Sequence, residues 1–111
     1  MPDRLRRHGT SFPVDVEDGA DEFVVTAELP GLRTQDFDVF ARGNAIRIVA
    51  DYGEDEGTGQ HLRQERARGR VERTIRLPER IDGRRVSASY VNGLLRVTAK
   101  KRHPSTRIEV E

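Results

Sequence analysis

The chain has 111 residues, 34% hydrophobic and 35% charged, with no cysteine, which points to a single polar domain and excludes disulfides and thiolate metal sites. No apolar run approaches the ~20 residues of a membrane span, and Met1 to His8 lack the apolar centre of a signal peptide, so a cytoplasmic protein is the expectation. The net charge of +1 hides two blocks: residues 15–56 carry twelve acids against three arginines, and residues 63–76 carry six arginines against two glutamates, a pattern that favours self-association or internal pairing.

Residues 1–12 read as a short disordered arm, with Leu5 and Phe12 as its apolar residues. Phe12 and Val14 to Val16 form a brief edge strand, and the turn cluster Asp18-Gly19-Ala20-Asp21 follows. From Glu22 to Leu29 the side chains alternate, with Phe23, Val25, Ala27 and Leu29 on one face. Pro30-Gly31 ends that strand, since proline lacks a ladder donor and glycine permits the bend. Thr34-Gln35-Asp36 reads as one helical turn capped by Thr34.

Phe37 to Ala41 and Ala45 to Tyr52 alternate on either side of Arg42-Gly43-Asn44, which predicts a hairpin. Residues 53–69 hold four glycines and no periodicity. A loop of that length is functional or disordered, and His61-Leu62-Arg63 is its one buried-looking place. Val71 to Leu77 is the next strand, stopped by Pro78. Ile81-Asp82-Gly83 reads as a turn, and the strands Val86 to Tyr90 and Leu94 to Ala99 flank the turn Val91-Asn92-Gly93. Short strands with turns at roughly 8–12 residue spacing predict an all-β sandwich. Phe23, Val25, Phe37, Val39, Ile46, Ile48, Val71, Ile75, Leu77, Val86, Leu95 and Val97 are the expected core. The sandwich occupies 13–100, and 101–111 is an extension.

A charged tether, Lys100 to Pro104, leads into that extension, which ends in Ile108-Glu109-Val110-Glu111. Residues two apart on an extended segment point to the same side. An isolated apolar pair on a polar tail cannot build a core, but it can plug two adjacent holes on another sheet. The pattern reads as assembly.

Catalytic chemistry needs convergent groups. His8, His61 and His103 fall on the arm, the loop and the tether, without metal-pair spacing. Glu54-Asp55-Glu56 is read as a solvated charge run in preference to a calcium site. The glycine-rich stretch around it lacks the lysine of a phosphate-binding loop. No enzyme activity, cofactor or metal is expected. The arginine block Arg63, Arg66, Arg68, Arg70, Arg73 and Arg76 lacks the aromatic platforms of single-strand binders, so salt bridging is preferred to nucleic-acid binding.

Several motifs together resemble the small heat-shock protein family, the α-crystallin domain. They are Phe23-Val-Val-Thr-Ala-Glu-Leu-Pro-Gly31, Asp36-Phe-Asp-Val39, Asn44-Ala-Ile-Arg-Ile48, Glu65-Arg66 leading through Gly69 to Arg76-Leu-Pro-Glu79, Ala88-Ser-Tyr-Val-Asn-Gly-Leu-Leu95 and Ile108-Glu-Val110. The resemblance implies an immunoglobulin-like β-sandwich and an ATP-independent holdase that binds unfolding client proteins as a dimer-based homo-oligomer. It implies that a strand near Gly59 to Gln64 pairs with a neighbour's Phe12 to Val16 edge. Val14, Val16, Leu62, Arg63 and Arg76 would then lie at the dimer interface. It implies that Ile108 and Val110 anchor in another dimer's groove, walled by Val39, Ala41, Val86 and Ala88. The family's arm is longer and richer in aromatics, so a co-chaperone-like adaptor of the related CS-domain fold is the competing reading, and a nucleic-acid binder through 63–76 the weaker one.

Overall fold

A computed structural model describes residues 12–54, 57–103 and 108–111. Seven strands follow in chain order: β1 (Val14–Asp18), β2 (Glu22–Glu28), β3 (Phe37–Arg42), β4 (Ala45–Asp51), β5 (Arg70–Arg76), β6 (Ile81–Val91) and β7 (Leu94–Lys101). All pairings are antiparallel. One sheet has the order β1-β2-β7-β6 and the other β3-β4-β5. The result is an immunoglobulin-like β-sandwich. Among the described residues no helix is long and apolar enough to cross a membrane.

The period-two pattern sets which face is buried. In β2, Phe23, Val25 and Ala27 face inward opposite Ala99, Val97 and Leu95 of β7. In β4, Ile46, Ile48 and Ala50 do the same from the facing sheet. Phe23, Val25, Leu29, Ile46, Ile48 and Val97 are the largest fully buried side chains. Each contributes about 1.5–3 kcal/mol relative to an exposed position. Phe37, Val39 and Val86 from the expected core pack only against its margin, because β3 and β6 are edge strands. Asn92 (φ 54°) and Gly93 (φ 79°) both adopt positive φ, the requirement of the two-residue type I′ hairpin turn.

Four local expectations are corrected. The turn at Thr34–Asp36 is a 3-10 turn whose N-cap is Arg33, not Thr34, and the Asp36 carboxylate reaches back to accept from the Arg33 amide at 2.9 Å. Ile81-Asp82-Gly83 is the start of the eleven-residue β6, irregular between Ile81 and Val86. Buried Ile81 holds it extended, donating its amide to the Gly43 carbonyl at 2.8 Å. Leu62 is not buried but 100% exposed. Lys100 and Lys101 belong to β7 rather than to a tether, because acidic partners receive both ammonium groups.

Phe12 is 7% exposed and part of the core. Leu5 and the rest of the arm, Asp55 and Glu56 of the acidic run, and the stretch 104–107 lie outside the described residues. Within 57–69 there is no strand. The ends of this loop are tied at a neck, where the Tyr52 amide donates to Gly69 and the Gly69 amide to Gly53.

Candidate functional site

The two edge strands β3 and β6 belong to different sheets and run beside each other along one flank. Register places Val39 opposite Ile48 and Ala41 opposite Ile46. It places Val86 opposite Ala99 and Ala88 opposite Val97. Directly opposed residues share a face, so all four expected groove residues face the interior side of their sheets. Val39, Ala41 and Val86 are half-buried and Ala88 is exposed, since among the described residues no third layer covers this flank.

Both ends of the resulting slot are closed. At one end the Phe37 and Tyr90 rings meet at 4.7 Å between centroids, tilted by 56°. The Tyr90 hydroxyl donates to the Leu29 carbonyl at 2.6 Å and accepts from the Leu32 amide at 3.3 Å. At the other end the Ile81 amide bonds to Gly43, and a Cβ added to Gly83 would stand 3.5 Å from the Ala41 carbonyl oxygen. Between these closures lies a short apolar trough. Ile108 and Val110 are 75% and 92% exposed, so the chain's own tail does not fill it.

The opposite flank is bounded by β1 and β5. Among the described residues β1 pairs only with β2, which leaves its other backbone edge open there. Val14 packs partly on the core, while Val16, on the same inner face, is 45% exposed. Leu62 and Arg63 sit on the loop and are not brought to β1 within one chain. Arg63 pairs with Glu65 at 3.1 Å instead. Arg76 lies on the outer face of β5 beside Ala45, in the sheet that does not contain β1. Among the described residues it has no ion pair.

The arginine block does not form one basic face. Arg73 shares the inner face of β5 with Val71 and Ile75, and its guanidinium donates to the Phe12 carbonyl at 2.8 Å. That contact ties the two sheets at the foot of β1. Sequence reading missed it; the signal was its even spacing with Val71 and Ile75. Glu72 is taken by Arg47 at 3.1 Å, and Arg47 also lies over the exposed Phe40 ring, 5.2 Å from its centroid.

Lys101 is buried. Its ammonium meets Asp18 at 2.7 Å and Glu79 at 3.3 Å, over the Phe23 ring at 4.8 Å. The hydrogen bond to Asp18 outweighs desolvation and holds the Lys101 ammonium above the usual lysine range. Lys100 is raised in the same direction, first by its hydrogen bond to Glu22. These contacts pin β7 to the β1–β2 turn and to the crossover between sheets. They are structural.

Two open depressions of about 320 and 300 Å³ flank Tyr52 near the loop. Burial pushes the Tyr52 phenol up. Among the described residues no three potential metal ligands converge.

The Hsp20/alpha crystallin family model matches residues 15–111. The chain is 37% identical to Heat shock protein 16 of Schizosaccharomyces pombe over 92 residues, which is 79% of this chain and 64% of that protein. Among solved structures it is similar to heat shock protein 16.0 from Schizosaccharomyces pombe, with a TM-score of 0.73 and 31% identity over 91% of this chain and 96% of the other. It is also similar to a small heat-shock protein from Xylella fastidiosa, described as having a distinct high order structure, with a TM-score of 0.70 and 27% identity over 91% and 94% of the two chains. The chain spans between 59% and 64% of the length of several curated relatives it matches.

Proposed function

The chain belongs to the Hsp20/alpha crystallin family of small heat shock proteins, a chaperone family, and we propose that it works as an ATP-independent holdase that binds unfolding client proteins while assembled as a dimer-based homo-oligomer. The observation that carries this reading is the pair of unfilled complements on one chain. Ile108 and Val110 stand exposed, and the slot between β3 and β6 lies open beside apolar walls. The tail of one dimer fills the slot of another, with Val39, Ala41, Val86 and Ala88 as its lining.

Dimers form at the other flank. The loop of one protomer, anchored at the Gly53–Gly69 neck, carries Leu62 and Arg63 to the open edge of a neighbour's β1, where Val14 and Val16 receive them. Pairing satisfies an unpaired edge that is otherwise a template for aggregation. Arg76 stands near this interface in the dimer. The high-order structure of the Xylella fastidiosa protein supports assembly beyond a dimer.

Burying the two anchor side chains gains a few kcal/mol, and ordering the tail takes back ~1–2 kcal/mol per residue fixed. A single plug is therefore weak and exchangeable, whereas several acting together hold an assembly. Exchange exposes apolar surface that covers a client's, at ~25 cal/mol per Å². No fuel step is needed, because preferential binding of the unfolded chain is enough.

The test heats a model client with and without the purified protein, in the absence of nucleotide. The expected result is suppressed light scattering that saturates at a fixed ratio of protein to client. Unchanged aggregation at excess protein overturns the holdase reading.

A further inference from the structure

We infer that charge along the slot fixes the direction in which a second copy's tail lies in it: parallel to β3, with Ile108 beside Val39 and Ala88, Val110 beside Ala41 and Val86, and Glu111 toward Arg42 and Arg84. The inference rests on the anchor reading above and adds to it an orientation that apolar fit alone does not set. Ile108 and Val110 are two β-branched knobs of similar shape. Reversing the tail exchanges them at little apolar cost.

The outer rim of the slot is electrically uneven. On β3 the outward row is Asp38, Phe40 and Arg42, so one strand presents an acid, a ring and a cation in sequence. Asp38 lies at the end closed by Phe37 and Tyr90. Arg42 lies at the end where Gly83 approaches Ala41, and Arg84 follows directly on β6. Asp82, the acid at that end, is already engaged by the Arg85 side chain at 3.1 Å and by the Arg84 amide at 3.0 Å. Among the described residues neither the Arg42 nor the Arg84 guanidinium makes a close ion pair, although the Arg84 charge also acts on Asp82.

The tail is uneven too. With Ile108 and Val110 turned into the slot, Glu109 and Glu111 project the other way. Glu111 lies beyond the second anchor, so it reaches whichever end Val110 occupies. Lying parallel to β3, it meets the Arg42 cation, with Arg84 beside it sharing its field with Asp82. Reversed, it meets Asp38 and is repelled. Exposed pairs are individually weak, but here they discriminate between two otherwise similar states. Together they set an excess of about fivefold for the parallel direction, the ratio given by ~1 kcal/mol.

The chain has no cysteine, so introduced pairs report without interference, and cysteine serves as a small apolar knob. A disulfide does not form when Cα atoms are more than ~7 Å apart, about the two-residue repeat of a strand. Val110→Cys is combined with Val86→Cys or with Ala88→Cys, and Ile108→Cys with the same two, in the full-length oligomer. Parallel docking predicts intermolecular bridges for 110–86 and 108–88 in about fivefold excess over 110–88 and 108–86. A register slip moves both tail positions the same way, whereas reversal exchanges them. Asp38→Arg with Arg42→Glu and Arg84→Glu is expected to invert the ratio, and Arg42→Lys with Arg84→Lys to keep it.

Equal yields, or an excess of the exchanged pairs, overturn the orientation and leave the anchor standing. A uniform ratio across all charge variants does the same. If no pair bridges and Ile108→Ser with Val110→Ser leaves the solution mass unchanged, both the anchor and its orientation fall.

Discussion

The Tyr90 hydroxyl donates a 2.6 Å hydrogen bond to the carbonyl of Leu29, 61 residues earlier in the chain. Through it the last hairpin holds the loop that leaves β2, and its ring closes the slot against Phe37. Tyr90→Phe keeps the ring contact and strands the Leu29 carbonyl. The expected loss is about 1–3 kcal/mol, read as a lower midpoint in urea unfolding with an unchanged slope. A midpoint equal to that of the parent removes the hydroxyl from any stabilising role.

Lys101 links stability to alkaline pH. Its folded pKa is raised, so its contribution is fully present below the unfolded lysine value of ~10.4 and is lost as pH rises through the higher folded value. Lys100 acts in the same direction. Lys101→Met is expected to flatten the decline in melting temperature above about pH 10.4, leaving the share of Lys100. An identical alkaline limb in parent and variant contradicts this linkage.

Asp82 has the opposite sign. The Arg84 amide, first, and the Arg85 side chain hold its carboxyl below the usual range. Its contribution is present above the unfolded value of ~3.9 and fades as pH falls through the lower folded value. Asp82→Asn is expected to lessen the acid-side loss of stability, measured by circular dichroism from about pH 5 down to about pH 2.

Arg73 and Phe12 predict local rather than global change. Removing the guanidinium in Arg73→Ala frees the Phe12 carbonyl, next to Pro13, whose own carbonyl receives the Glu28 amide at 3.1 Å. Hydrogen bonds from charged groups are worth ~1.5–3 kcal/mol. The Glu28 amide is expected to exchange markedly faster with solvent while β4 amides are unaffected. Uniform acceleration across both sheets instead marks global destabilisation.

The tail and the edge predict two different sizes of particle. Removing residues 104–111, or substituting Ile108→Ser with Val110→Ser, is expected to reduce the assembly to dimers. Val16→Glu with Leu62→Glu is expected to reduce the dimers themselves to monomers. Multi-angle light scattering reads both. An unchanged mass after tail removal counts against the anchor, and an unchanged dimer after the paired glutamates counts against the loop–edge exchange.

The strands were legible because period two is written in residues such as Phe23-Val-Val-Thr-Ala27 and Ala45-Ile-Arg-Ile48, and the hairpin because Asn92-Gly93 suits positive φ. The family resemblance rested on the order of these same pieces. Ile81 misled because its neighbours Asp82 and Gly83 are turn-formers, while the carbonyl that holds it extended, Gly43, lies 38 positions away. Lys101 misled for a similar reason: a run of cations reads as solvated until Asp18 and Glu79 arrive from distant turns.

The sequence alone determined the all-β class, the inward and outward faces, the family and the isolated apolar pair Ile108 and Val110 on a polar tail, since each depends on short-range periodicity or on motifs carried in order. Only the tertiary structure decided that β3 and β6 leave a trough closed at both ends, and that Arg73 faces Phe12 while Arg42 and Arg84 share one end of the slot. Those relations depend on how two sheets stack, and stacking is fixed by burial of side chains far apart along the chain, which no local pattern encodes.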